Sequence, residues 1–195
     1  MSAPDEDLLS LLAYRMYAIS IGRLALRHHM SWDKTLSMMI CFDGTPVIEG
    51  EATGFTNAAI ESAIIHCRAI LEFLGLCSTK TSHITEITKR TRDDDLGIEK
   101  ISGLAKVTKD LAVAGISANP TDAEKALSLI LHAANKGLAH TTTSFDRDSA
   151  EAHLYKIAFE GIQDLLISCF YTPLGITPSE HQLSWRHRSA PKPEI

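Results

Sequence analysis

The residues whose types and spacing could do chemistry are concentrated in residues 133–143, at the end of a run rich in alanine and leucine. Asn135, Lys136 and His140 place an amide, a cation and an imidazole close together, with Gly137 between them. On a continuous helix each residue advances about 100°, so Lys136 and His140 would share a face and Asn135 would point about 140° away from His140. A helix break at Gly137 would change that arrangement.

Lys136 bears directly on the acid–base chemistry predicted for His140. A cation one helical turn away lowers the pKa of a histidine, because like charge disfavours the imidazolium. A histidine that is neutral near physiological pH can act as a general base. The alternative interpretation is structural, since a histidine in the last turn of a helix often hydrogen-bonds the free carbonyl groups there.

The helices that would position these side chains are predicted from apolar residues at helical spacing. The long segments with this pattern are residues 6–29, 58–76, 121–140 and 150–171. Shorter helices are predicted within residues 82–92 and 96–116. Ser2 and Asp5 are the predicted caps of the first helix, and Thr121 or Asp122 that of the third. The sequence therefore predicts a mainly α fold, a bundle of four to five helices.

One segment near residues 35–50 interrupts the helical pattern. Asp43-Gly44 lies between two short apolar runs, which is typical of a β-hairpin, whereas Pro46 favours an irregular excursion. We predict a small β-hairpin or irregular insertion there. Residues 1–171 are predicted to form a single helical domain, and the prolines beyond them predict an extended or disordered C-terminal tail over residues 172–195.

The charge balance limits the kinds of partner. A formal net charge of −5 argues against a broad electropositive face for duplex DNA but leaves room for a local basic groove. Arg15, Arg23 and Arg27 follow one another at spacings of eight and four, which predicts a shared face that is either solvated or part of an anion site. A second cationic run, residues 80–92, is followed directly by three aspartates at 93–95, so its charges are expected to cancel at a distance.

Motifs of several enzyme classes are missing from the sequence. It has no HExxH or paired Glu-x-x-His for a metal, no GxSxG and no phosphate-binding glycine loop. We therefore expect no metal and no cofactor. Its four scattered cysteines predict reduced, mostly buried thiols. The acidic N-terminus is unlike a signal peptide and no apolar run approaches about 20 residues, so we expect a cytoplasmic protein with no membrane partner.

Helices that end in an Asn-x-x-x-x-His sequence before a final helix resemble the HEPN superfamily, over roughly residues 56–171. The family motif is an arginine, usually followed by a polar residue, then three to five further positions and a histidine. By position the histidine is His140 and the polar pair is Asn135-Lys136. This sequence has no arginine there, so either Lys136 supplies the cation or the site is degenerate. Lysine lacks the planar fork that binds phosphate bidentately.

The resemblance implies a metal-independent endoribonuclease or RNA-binding protein of a bacterial toxin–antitoxin or phage-defence system, active as a homodimer and paired with an antitoxin protein. His140 would act as base or acid in attack by an RNA 2′-hydroxyl, while Lys136 and Asn135 would hold the phosphate. Arg68 and Glu72, an i,i+4 pair on the second helix, are candidate orienting residues. The alternatives are a non-catalytic module in which the Arg68 and Glu72 face meets a protein partner, or a helical bundle that binds a small molecule in a polar cavity.

Overall fold

The computed structural model of the chain describes residues 4–90, 92, 95–137 and 149–179, of which positions 136, 137, 149 and 150 are described by their backbone alone. The helices are α1 (Glu6–Met30), α2 (Ala52–Leu74), α3 (Lys109–Ala114), α4 (Pro120–His132) and α5 (Ser149–Leu166). The strands are β1 (Ser37–Phe42), β2 (Thr45–Glu51), β3 (Leu76–Ser78) and β4 (Ile84–Glu86), which pair as two antiparallel hairpins. The prediction of a mainly α fold is confirmed. Ser2, His140 and the tail residues 180–195 lie outside the described residues.

The first helix begins at one of its predicted caps. The Asp5 carboxylate accepts a hydrogen bond from the Leu8 N–H at 2.8 Å, which satisfies one of the free amides of the first turn. By length and composition alone α1, with a mean hydropathy of 1.2 over 18 residues, could cross a membrane, a test that the core helix of a soluble protein also passes. In the structure Leu12, Ile19 and Leu26 of this helix lie in the protein core. The cytoplasmic location stays a prediction.

The two longest helices approach each other most closely at Gly22. Arg15 contacts His66 while Gly22 lies beside Ala59 and Ala63, so α1 and α2 run antiparallel. A Cβ atom on Gly22 would collide with the Ala63 Cβ and lie 3.0 Å from the Ala59 carbonyl oxygen. The spacing between these helices therefore depends on the missing side chain at position 22.

The last helix is fixed to α1 by a buried amide. Gln163 donates from Nε2 to the Met16 carbonyl and to Ser20 Oγ, both at 2.9 Å, and its Oε1 accepts from Arg23 Nη1 at 3.2 Å. Arg23 thus faces α5 whereas Arg15 faces α2, so the predicted shared face of these arginines is wrong. Eight steps of about 100° leave two residues about 80° apart around the helix axis.

The predicted insertion is a β-hairpin. Its two-residue turn has φ values of 49° at Asp43 and 80° at Gly44, which is the type I′ geometry that matches the twist of the strands. Pro46 lies opposite Cys41, and the register shift between Ile40 and Cys41 leaves Val47 without a partner strand residue. Both strands of a two-stranded sheet are edges, where proline is tolerated. The strand β2 is exposed along its whole length.

A second hairpin replaces the short helix predicted within residues 82–92, and that prediction is wrong. α2 ends at Gly75, whose φ of 100° suits glycine, and β3 starts at the next residue. The chain reverses at Ser82, whose φ of 65° lies outside any right-handed helix. After β4, the Ile87 N–H donates to the Gly75 carbonyl at 2.7 Å. The segment that follows is thereby held beside the end of α2.

Two helix starts also differ from the predictions. α2 begins at Ala52 rather than Ala58, because β2 leads straight into it and the Ala52 N–H donates to the Leu36 carbonyl at 2.8 Å. α4 is capped by Asn119, whose Oδ1 accepts from the Asp122 N–H at 2.9 Å, and not by Thr121 or Asp122. Pro120 then occupies the first turn, where its missing N–H leaves no bond unmade.

The stretch that the sequence singled out leaves the α-helical geometry. Ala133–Gly137 forms a π turn directly after α4, in which backbone hydrogen bonds join residues five apart. An advance of about 100° per residue therefore does not apply to Asn135 and Lys136. The predicted alignment of Lys136 with His140 stays a prediction.

The close approach at Gly22 gives a first prediction. Gly22→Ala should lower the free energy of unfolding by about 1–2 kcal/mol, because overpacking between the helices outweighs the gain in helix propensity. Gly54→Ala is the matched control, since a Cβ at this α2 position meets nothing within 4 Å. It should leave stability unchanged or raise it by up to about 1 kcal/mol. Urea unfolding measures both, and equal effects of the two substitutions would contradict the packing at Gly22.

Candidate anion-binding site

The structure separates the residues that the sequence grouped as a site. Asn135 donates from Nδ2 to Ser78 Oγ at 2.9 Å, so its amide is held against β3. Lys136 is described by its backbone alone, and His140 lies outside the described residues. Arg68 and Glu72 are brought together, but they lie in a cavity whose lining does not include Asn135.

This cavity, which we call the cationic cavity, has a volume of about 670 Å³. It opens between α1, the second half of α2 and the segment after β4. Its lining residues are Leu8, Leu11, Leu12, Arg15, Arg68, Ala69, Glu72, Phe73, Cys77, Ile87, Lys89, Arg90, Arg92, Asp95 and Leu96. Five of these carry a positive charge and two a negative charge, in a chain whose net charge is −5. The cavity is thus a local concentration of positive charge on an acidic protein.

The charge of Glu72 acts on Arg15 from a distance, without a direct ion pair. Its Nη1 lies 3.3 Å from His66 Nδ1, and it forms no salt bridge with a described residue. Partial burial lowers the pKa of His66, and the charge of Arg15 lowers it further, so the ring is neutral near pH 7 and accepts the bond. Burial also lowers the pKa of Arg15, but an arginine stays charged at any physiological pH. His66 orients Arg15 without cancelling its charge.

Arg68 is paired with Glu72 across one turn of α2. Its Nε donates to Glu72 Oε1 at 2.8 Å, and both side chains are more than a third exposed. Exposed pairs of this kind contribute less than about 1 kcal/mol, because water competes for both charges. An anion that enters the cavity can therefore displace the carboxylate from Arg68 at little cost.

Arg90 has a different role, because every part of its guanidinium is already engaged. It donates to both carboxylate oxygens of Glu99, at 2.7 and 3.0 Å, and to the carbonyls of Glu72 and Phe73 at the end of α2, at 3.0 and 3.2 Å. A Cβ on Gly97 would collide with this guanidinium. Only 10% of the Arg90 side chain is exposed. Arg90 forms the wall of the cavity rather than a free anion ligand.

Lys89 and Arg92 lie on the segment that Arg90 anchors. Both are exposed, and neither forms a salt bridge within the described part of the chain. The Arg92 N–H donates to Asp95 Oδ2 at 3.2 Å, which closes a short turn beside the cavity. These two side chains add exposed positive charge at the rim. The expectation that the charges of residues 80–95 cancel at a distance stays a prediction, because Asp93 and Asp94 lie outside the described residues.

The cysteines give no sign of a nucleophile. Cys77 lines the cavity, but burial raises the pKa of its thiol, and Glu72 and Glu86 raise it further. The thiol is therefore protonated near neutral pH and weakly reactive. Cys67 is fully buried and its pKa is also raised, whereas Cys41 is exposed on the β1–β2 hairpin. The prediction of mostly buried cysteines is thus wrong for Cys41.

A metal centre finds no ligand set in the described ranges, where no three histidine, cysteine or acidic side chains come together. The guanidinium and ammonium groups of the cavity are suited to binding anionic oxygen. Of the residues named from the sequence, Arg15, Arg68 and Glu72 belong to this site. Lys89, Arg90 and Arg92 were missed as site residues.

The Arg90 contacts give a second prediction. Arg90→Lys should lower the free energy of unfolding by about 2–3 kcal/mol, because a single ammonium cannot satisfy Glu99 and two helix-end carbonyls together. Hydrogen bonding to Arg90 holds the pKa of Glu99 below its ordinary value of 4.5. This stabilisation is complete above pH 4.5 and is lost as the pH falls through the lower folded-state pKa. The variant should show a weaker loss of stability on acidification.

A matched control for this prediction is Arg23→Lys, since the Arg23 and Glu160 side chains are each 44% exposed and a lysine ammonium can still donate to Gln163 Oε1. Exposed pairs contribute little, so the change in stability should stay below about 0.5 kcal/mol. Urea unfolding at pH 7 and at pH 4 measures both variants. Equal losses in the two variants, or an unchanged pH dependence in Arg90→Lys, would contradict the role of Arg90.

No protein-family model, curated protein or solved structure matches this chain. The resemblance to the HEPN superfamily therefore stays a prediction. The case for a function depends on the described residues themselves, above all on the charges of the cationic cavity.

Proposed function

We propose that this protein is a helical bundle that binds a small anionic ligand in the cationic cavity. The ligand's carboxylate or phosphate group is held by Arg15 and Arg68, with Lys89 and Arg92 adding attraction at the rim. Of the functions predicted from the sequence, this is the small-molecule binder that required a polar cavity.

The observation that carries the proposal is the surplus of positive charge. Five cationic side chains and two carboxylates line about 670 Å³. Arg90 is neutralised by Glu99 outside the lining, yet Arg15 still has only a neutral imidazole as its direct partner. Cationic groups gathered in a cleft with low-dielectric walls focus the field and attract anions, even on a protein with a net negative charge.

The pairing of Arg68 with Glu72 allows the site to bind an anionic ligand and to release it again. Glu72 occupies Arg68 in the empty cavity, which limits the cost of holding several cations together. A ligand oxygen can replace Oε1 of Glu72 on the Arg68 guanidinium, because the pair is exposed and contributes little. Glu72 therefore competes with the ligand for Arg68.

This competition predicts that substitutions of Arg68 and of Glu72 change the affinity for an anion in opposite directions. Inorganic pyrophosphate should bind the wild-type protein, and Arg68→Gln should weaken binding about tenfold, since a charge-assisted hydrogen bond contributes about 1.5–3 kcal/mol. Glu72→Gln should strengthen binding, because it removes the competing carboxylate. Isothermal titration calorimetry at low salt measures all three dissociation constants, and the affinity should fall as salt is added.

The control is Arg23→Gln, which removes an arginine of α1 that lies outside the cavity and pairs with Glu160. Its affinity for pyrophosphate should equal that of the wild type. The proposal is wrong if wild-type protein shows no binding, or if Arg68→Gln and Arg23→Gln weaken it equally. Weaker binding by Glu72→Gln would also contradict the assigned competition.

A second candidate is the HEPN-like endoribonuclease or RNA-binding protein, a cytoplasmic homodimer with a cognate antitoxin. Two features favour it: the π turn at Ala133–Gly137, a geometry common at functional sites, and the fixing of Asn135 by Ser78. In this proposal His140 and Lys136 would act on RNA bound between two copies. Arg68 and Glu72 would belong to a separate anion site, because the cavity lining does not include Asn135.

The nuclease proposal has its own prediction. Wild-type protein should cleave single-stranded RNA in the presence of EDTA, and His140→Ala should lower the rate at least a hundredfold, which is the usual contribution of a general acid or base. His153→Ala is the control, since this histidine is exposed on α5. Absence of cleavage by wild-type protein that elutes as a dimer would remove the nuclease proposal.

A further inference from the structure

The described lining of the cationic cavity is poor in neutral polar side chains. Among the described residues it contains no serine, threonine, asparagine, glutamine, histidine, tyrosine or tryptophan side chain. Sites for polar ligands place such groups to fix orientation. The described lining residues are either charged or apolar, except for Cys77, whose thiol is weakly polar.

The cavity also offers no free aromatic face for a planar ring to stack on. Phe73 is its one aromatic lining residue, and only 5% of this residue is exposed. The Phe73 ring packs edge-on against Phe170 in the core, with 5.5 Å between the ring centres. A planar ring in the cavity would meet guanidinium and aliphatic groups of the described lining rather than an exposed aromatic face.

The apolar part of the lining is aliphatic and partly open. Leu8 and Leu12 of α1 are buried at its base, while Leu11, Ile87 and Leu96 remain in contact with solvent. Leu96 is 51% exposed and shares the lining of the cavity with the cationic side chains. Exposed aliphatic surface next to concentrated positive charge is suited to a ligand that has an apolar part and an anionic group.

We infer that the ligand is a small amphiphilic anion, with a carboxylate or phosphate head and an unbranched aliphatic body. The head contacts Arg15 and Arg68, and the body lies along Leu11, Ile87 and Leu96. This inference rests on the proposed function and names the class of its ligand. A volume of about 670 Å³ is within the range of small-molecule sites and admits a medium-length alkyl chain together with its head group.

The test is the dependence of affinity on chain length. Hexanoate, octanoate and decanoate, each below its micelle-forming concentration, are titrated into the full-length protein by calorimetry. Affinity should rise two- to fourfold for each methylene added, because each one leaves water for the aliphatic wall. Decyl phosphate is compared with decanoate to determine which head group the arginines prefer.

Two variants test whether the alkyl chain of the ligand lies along Leu96. Leu96→Asp should flatten the dependence on chain length, because it places a charged group on the wall that receives the body. Leu111→Asp changes a leucine of α3 with 54% exposure outside the cavity, so it should behave as wild type. Both positions are exposed, so both variants should remain folded. Arg68→Gln should lower the affinity of the whole series by a common factor.

The outcomes separate this inference from the proposed function. Binding of pyrophosphate with no increase along the carboxylate series would overturn the amphiphile and leave the anion site intact. A rise with chain length that is identical in Leu96→Asp and Leu111→Asp would place the chain elsewhere and also overturn it. Sedimentation with phosphatidylglycerol vesicles, without binding of monomeric decanoate, would identify a lipid surface instead of a free amphiphile.

Discussion

The cavity depends on one interaction, the hydrogen bonding of Arg90 to the carbonyl groups at the end of α2. The last carbonyls of a helix have no partner within the helix, and Arg90 donates to two of them, those of Glu72 and Phe73. The same guanidinium holds both oxygens of Glu99, so the segment after β4 is tied across the helix end to the turn before α3. Gly97 leaves room for this planar group. Lys89 and Arg92, on the same segment, line the cavity together with Arg90.

How much positive charge each arginine of the site presents to a ligand depends on the group with which it is paired. Arg90 pairs with the half-buried carboxylate of Glu99 and contributes to the fold, while Arg68 has an exposed carboxylate that a ligand can replace. Arg15 has the neutral ring of His66 as its hydrogen-bond partner, and the charge of Glu72 acts on it only from a distance. This gradient, from a closely paired arginine to one without a direct ion pair in the described residues, keeps the protein stable while part of the positive charge remains available to an anion.

Apolar periodicity was enough to predict the long helices, because a one-sided stripe such as that of α2 records the side that is buried. The Asp43-Gly44 turn likewise predicted the first hairpin, since few residues adopt positive φ. The second hairpin was missed because its turn depends on Ser82 in a left-handed conformation, which sequence does not signal.

The site was found only in part: Arg68 and Glu72 were named from helical spacing. The roles of Lys89, Arg90 and Arg92 depend on contacts with α2 and Glu99 that are distant or irregular in sequence. The stretch around Asn135 remains a chemical candidate, but its π turn could not be foreseen from a period of 3.6 residues.

The central claim is that Arg15 and Arg68 carry charge that is available to an anion, whereas Arg90 does not. It is tested most directly by the ¹⁵Nε–¹Hε resonances of the arginine side chains, assigned by single substitutions and followed as pyrophosphate is added. The account predicts saturable shifts of the Arg15 and Arg68 signals, with those of Arg23 and Arg90 nearly stationary. Shifts of equal size at Arg23, or no shift at Arg15 and Arg68, would contradict it.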